Sequence, residues 1–313
     1  MLRSQKGMVA LLLLVLLATA ALAAVMHRSD PSNERDLTGR QVTAARLAKV
    51  EQALLSFVIQ NRRLPCPALG QSISSQADAD RGTERRISDA TVGPSCQVAV
   101  TNPGLLHEQT HGVVPWRTLG LARADVLDGW GNLLTYRVFP ELVKGGSLEI
   151  AACDASGAGL GQDVGTPPLR RCRPCNLKSQ ANCTHPNLYT SGWGLTVSGP
   201  GGQVLMNPNG SGTTNNGAAY VVISHGENGA GAFSAEGVAI TGSPAAGSEE
   251  VPNAVTGLFA PRTASYVANS LPIFRDTTPS QVAGSSYFDD LMLRPTILEV
   301  IYAANLGPRS KEP

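Results

Sequence analysis

Charge is scarce in this sequence and aromatic residues are scarcer. Asp, Glu, Lys and Arg make up 16% of the 313 residues, and Phe, Trp and Tyr 5%. Basic residues outnumber acidic ones by 25 to 24, so no charge imbalance points to nucleic acid as a partner. Two active-site signatures are also missing. There is no G-x-S-x-G elbow of the kind that presents a nucleophilic serine. The Gly-rich run 199–217 lacks the Gly-Lys-Ser/Thr that would make it a phosphate-binding loop, which argues against nucleotide binding.

What is abundant is Gly and Pro, with 33 and 21 residues. That mixture suggests short strands joined by many turns, with a modest helical share. The length allows one large domain or two small ones. Six cysteines are an even number, which suits disulfides in an oxidising compartment and hence export.

The long apolar run sits at the N-terminus. Residues 8–26 are uncharged, with Thr19 the only polar side chain, and nineteen residues at the helical rise span about 28 Å, close to a bilayer's hydrocarbon core. Arg3 and Lys6 precede the run, which places the N-terminus in the cytoplasm and the rest outside. Two readings fit. One is a cleavable secretory signal with a small-residue site among Ala18, Ala20, Ala21 and Ala23. The other is a basic leader, 1–7, ending at Gly7 and followed by a retained membrane helix, 8–26, that starts at Met8.

An amphipathic helix is expected next, over 27–64. Leu47, Val50, Leu54 and Phe57/Val58 recur at three- and four-residue steps, with Arg46, Lys49, Glu51 and Gln52 between them. Pro31 should kink or interrupt a continuous rod, and Leu64-Pro65 should end the helix. Beyond it, 133–139, 192–198, 218–224 and 287–293 read as strands bounded by Gly, Asn and Asp. The stretch 156–216 looks like a Cys/Gly-rich insertion, and 296–304 like a short helix or strand on the core.

Several residue sets could carry chemistry. Ser224-His225 are neighbours on a strand, so they point to opposite faces and cannot act together as nucleophile and base. Cys172-x2-Cys175-x7-Cys183 with His185 has the ligand types for zinc, although disulfides are the commoner use outside the cytoplasm. His107-Glu108-Gln109-Thr110-His111 is an H-E-x-x-H string, the zinc-hydrolase motif, but that motif works on a helix. Here Pro103-Gly104 and Gly112 to Pro115 leave barely two turns, so a long loop is expected. Trp116 and Trp130 are expected to pack beneath the sheet.

Five motifs in order carry a resemblance. The amphipathic helix runs into Arg63-Leu64-Pro65-Cys66-Pro67, then come Gly112-Val113-Val114-Pro115-Trp116 and the turn Asp128-Gly129-Trp130-Gly131-Asn132. The loop Ser224-His225-Gly226-Glu227-Asn228-Gly229 follows, and the series closes with Phe288-Asp289-Asp290-Leu291. This order resembles type IV prepilin-like proteins and looks like an enlarged pseudopilin of type II secretion. The resemblance implies an α+β fold, a long N-terminal helix packed on an antiparallel β-sheet head (65–313). It implies processing at Gly7/Met8 by a prepilin peptidase and a single-pass place in the bacterial inner membrane, with the head periplasmic. Partners would be other pseudopilins and the inner-membrane assembly platform, and the role non-enzymatic. Pilins usually carry Phe and Glu at the first and fifth mature positions; here they are Met8 and Leu12, which favours a minor, tip-type member. The resemblance also pairs Cys66 with Cys96, leaving at least one bridge for the 172–183 segment, although six cysteines allow 15 connectivities. Finally, it implies calcium between a Gly-rich loop and a terminal acidic strand, with Ser224, Glu227, Asn228, Asp289 and Asp290 as ligands. The alternatives are a secreted disulfide-linked binding protein and a zinc hydrolase using His107, Glu108 and His111.

Overall fold

The computed structural model describes residues 31–70, 81–89, 93–98, 107–108, 111–145, 147–148, 194–208, 217–240, 249–254, 273–280 and 287–306. The expected leader and membrane helix, and Cys172, Cys175 and Cys183, lie outside these residues. Among the described residues, no helix is long and apolar enough to cross a membrane.

Helix α1 spans Pro31–Asn61. Its buried stripe is Gly39, Thr43, Leu47, Val50, Leu54 and Val58, spaced by threes and fours so that one face meets the core. The helix stops three residues short of the expected Leu64. Arg62 adopts φ 55, and its N–H bonds the Val58 carbonyl at 2.8 Å, a left-handed cap that ends the helix before the proline can.

A four-stranded antiparallel sheet receives that face, in the order β12 (Leu291–Leu293), β9 (Tyr220–Ser224), β6 (Thr135–Val138), β4 (His111–Val113). The β9 sequence Tyr-Val-Val-Ile-Ser is buried on both sides. Tyr136 and Tyr220 stand on the α1 face with their rings 5.9 Å apart. On the other face the Arg137 guanidinium lies 6.0 Å from the Phe274 ring. Phe274 belongs to β11 (Ile273–Arg275), which joins β7 (Thr196–Ser198) and β8 (Val204–Met206) in a second sheet. The β11–β7 pair is parallel, a local exception to the antiparallel plan. Leu195, Val197 and Met206 enter the core, so the last part of the expected insertion belongs to the body of the fold.

The strand expected over 133–139 is two. Leu134 separates β5 (Asn132–Leu133), which pairs with β10 (Phe233–Ser234), from β6. The C-terminal segment resolves as helix α2 (Ile297–Ala303). Thr296 caps it by accepting from the Glu299 N–H at 3.1 Å, while Glu299 accepts from the Thr296 N–H at 2.7 Å.

Cys66 and Cys96 form a disulfide, as the resemblance implied, with 5.3 Å between Cα atoms. It ties the segment after α1 to β2 (Gly93–Val98), which pairs with β1 (Arg86–Asp89) and β3 (His107–Glu108). Closing a loop of 30 residues stabilises the fold by about 3–4 kcal/mol on chain-entropy grounds. Beside it, Glu84 accepts two hydrogen bonds from Arg63 at 2.7 and 2.8 Å and one from the Cys66 N–H at 3.0 Å.

The middle of α1 is held by the turn at 125–130. Lys49 pairs with Asp125 at 2.8 Å, and Arg46 donates to the Leu127 and Asp128 carbonyls. Thr43 accepts from the Gly129 N–H at 2.9 Å. Trp130 packs here, half-buried on the helix, and not beneath the sheet as expected; Trp116 does lie in the core. The approach is close because residue 39 has no side chain. A Cβ there would sit 2.7 Å from Trp130 Cε2. Gly39→Val should therefore cost about 2 kcal/mol in urea unfolding, within the usual range for overpacking. Leu37→Ala, two residues away at a position 60% exposed, should change stability by less than about 0.5 kcal/mol. Equal effects at the two positions would show that the helix does not dock through Gly39.

Candidate metal centre

Three carboxylates meet where the loop after β9 crosses the start of β12. Glu250, Asp289 and Asp290 are 1%, 1% and 4% exposed, and one oxygen from each lies within 4.8 Å of the others. Two ligands on opposite sides of a cation at about 2.4 Å would stand about 4.8 Å apart, so the spacing fits a single coordination sphere.

Neighbouring groups hold the carboxylates in place. Glu250 accepts from the Asp289 N–H and from the Asn228 side-chain amide, both at 2.8 Å. Asp289 Oδ2 accepts from the Tyr287 hydroxyl at 2.9 Å and the Asn228 N–H at 3.2 Å. Asp290 Oδ2 accepts from the Asn253 amide at 2.8 Å. Asn253 also brackets β11, donating to the Arg275 carbonyl and accepting from its N–H. All these donors are neutral. Asp289 Oδ1 is buried with no hydrogen-bond partner among the described residues.

The loop can approach so closely because Gly226 takes φ 58, and a Cβ there would fall 2.3 Å from Asp289 Cγ. Burial, followed by the neighbouring carboxylates, pushes the Asp290 carboxyl well above its ordinary range. Glu250 rises to about 7, first through burial and then through its contact with Asp289. Gathered like charges with an orphaned oxygen are what a bound cation would relieve. The residues present fit a metal ion with hard oxygen ligands.

The expected ligands divide into three groups. Asp289 and Asp290 are in the cluster. Asn228 supports it, its amide nitrogen turned to Glu250 and its Oδ1 accepting from the Ala230 N–H. Ser224 is committed elsewhere, donating to Asp128 Oδ2 at 2.8 Å, and Glu227 is exposed and outside the cluster. Glu250 was missed. It lies in a turn at 249–254 with no motif around it, and nothing in the sequence marks its approach to residues 39 and 40 positions further on.

His225 is a further buried titratable group beside the cluster. Its Nε2 is 2.8 Å from the Thr135 hydroxyl and its Nδ1 3.9 Å from Asp290 Oδ1. A Thr-His-Asp series in that order is the layout of a nucleophile, base and orienting acid. Here all three side chains are buried in packed interior, and 3.9 Å is too long for the orienting hydrogen bond. Burial holds the imidazole pKa down to about 3, so it stays neutral.

The H-E-x-x-H residues do not lie on a helix. His107 and Glu108 are in β3, and His111 opens β4 in a different sheet. The i, i+4 stacking that brings both imidazoles to one zinc is absent from this arrangement.

Compared with protein-family models, curated proteins and solved structures, the chain matches none.

The raised carboxyls set a pH dependence. Glu250 titrates at about 7 when folded against 4.5 for its ordinary value, so over that interval the folded state binds more protons than the unfolded. Stability therefore falls as pH rises through it. His225 acts oppositely below about 6.5, where the unfolded imidazole takes a proton that the buried one refuses. Of these described groups, only the carboxylates act between about pH 6.5 and 8. With a chelator present, the melting midpoint should drop across that window, and Glu250→Gln should flatten the drop. A chelated midpoint that rises with pH would contradict this account.

Proposed function

We propose that this chain is a non-enzymatic pseudopilin-like subunit of a bacterial secretion or pilus machine. It is anchored in the inner membrane by residues 8–26, with its head in the periplasm, and calcium locks the loop at 224–231 to the acidic strand. The observation that carries the reading is the junction of that Gly-rich loop with Asp289 and Asp290, closed by Glu250, on a sheet packed against a long N-terminal helix. Carboxylate oxygens alone favour a hard cation, and calcium tolerates the irregular geometry of loop-borne ligands. The Cys66–Cys96 bridge is consistent with export. Partners would be other pseudopilins and the assembly platform. Met8 and Leu12, in place of the usual Phe and Glu, favour a place at the tip.

Two measurements test this reading. In thermal melts of the full chain, calcium should raise the midpoint, by about 2.7 kcal/mol of stability at a hundred times its dissociation constant. Asp290→Ala should abolish the rise and His111→Ala leave it intact. A midpoint raised by zinc and indifferent to calcium would defeat the assignment. Mass spectrometry of the mature protein should find Met8 at its N-terminus. A chain beginning near Ala24 would instead make this a secreted protein without an anchor.

A further inference from the structure

A groove of about 440 Å³ opens between α1, β12 and α2 and shares no residue with the acidic triad. Its apolar walls include Leu55, Met292, Leu293 and Val300. At its base is Tyr220, only 1% exposed, whose hydroxyl is buried without a hydrogen-bond partner among the described residues. Burying an unsatisfied hydroxyl is unfavourable.

The charges at the groove are unbalanced. Asp276 is neutralised by Arg294, at 2.6 Å, but Glu51 from α1 and Glu299 from α2 line the same space with no ion-pair partner among the described residues, one Glu299 oxygen also accepting the Thr296 N–H. The Tyr220 phenol is pushed up by burial first and then by Glu51 and Glu299, so the field of both carboxylates reaches the hydroxyl. The hydroxyl stays protonated and can still accept one hydrogen bond. An ammonium or guanidinium carries only donors, and a phenol oxygen in the field of two carboxylates suits such a group. An anion is repelled, and a purely apolar ligand leaves the hydroxyl unsatisfied. The apolar walls suit the methylene stem of a long cationic side chain and the aliphatic residues beside it.

We propose that this groove docks a lysine or arginine side chain, flanked by aliphatic residues, from a segment of a partner protein. Nothing in this inference depends on the calcium or pseudopilin reading.

The test uses the full chain and capped pentapeptides Ala-Leu-Lys-Leu-Ala, with glutamate or norleucine replacing the lysine in two controls. Calorimetry should show the lysine peptide binding at least tenfold more tightly than either control. Glu51→Gln and Tyr220→Phe should each weaken it by about tenfold or more. Because the hydroxyl has no partner among the described residues, Tyr220→Phe should leave the melting midpoint unchanged or raised. The proposal fails if the lysine and norleucine peptides bind alike, if no peptide binds at millimolar concentration, or if Glu51→Gln has no effect. A lower midpoint in Tyr220→Phe would assign the hydroxyl to the fold instead. Free n-hexylammonium binding as tightly as the peptide would overturn the assignment to a protein segment.

Discussion

Three parts of the chain are joined at Asp128. One carboxylate oxygen accepts from the N–H groups of Trp130 and Asn132, which shapes the turn. The other accepts from Ser224 at the end of β9, while the backbone carbonyl of the same residue takes Arg46 of α1. Turn, sheet and helix therefore share one residue, nearly inaccessible to water. Burial raises its carboxyl against the effect of these hydrogen bonds, yet each oxygen has a partner. An alanine at 128 would release the turn that seats α1 and leave the Ser224 hydroxyl proton buried without its acceptor.

The acids at 250, 289 and 290 are held by a different balance. Their hydrogen bonds come from amides, a phenol and backbone N–H groups, none of which carries charge, and one oxygen has no partner among the described residues. Asp128 is complete as it stands. The triad could hold a metal ion, which would supply the charge that its neutral donors do not. Both lie near the end of β9, where Ser224 turns to one and His225 to the other.

Much of this architecture could be read from the sequence because it rests on local rules. The threes and fours of Leu47, Val50, Leu54 and Val58 gave the helix and its buried face, and the apolar run at 218–224 gave the central strand. The turn at Asp128 and the loop at Gly226 were visible as patterns. Where expectation and structure part, the cause is a contact distant in sequence or a backbone conformation the residue type does not advertise. Arg62 ends α1 in a left-handed conformation that few arginines adopt. Trp130 left the sheet for the gap at Gly39, 91 positions away, and Glu250 reaches Asp289 through a turn without a signature. Ser224 looked like a ligand because it borders the loop, but its hydroxyl was already taken by Asp128.

The order of the central sheet bears on how the protein comes to be folded. Its middle strands, β6 and β9, are far apart in the sequence, and β12 adds to the sheet some 70 residues later still. The bonds that seat them are equally distant, joining residues 96 apart at Ser224–Asp128 and 71 apart at Tyr136–Pro65. Such a topology pays loop-closure entropy before most native contacts form, and it folds slowly. While the chain emerges, α1 has its apolar stripe but not the strands that cover it. The stripe therefore stays uncovered until residues near the far end arrive, and that interval is when a holdase would have something to bind.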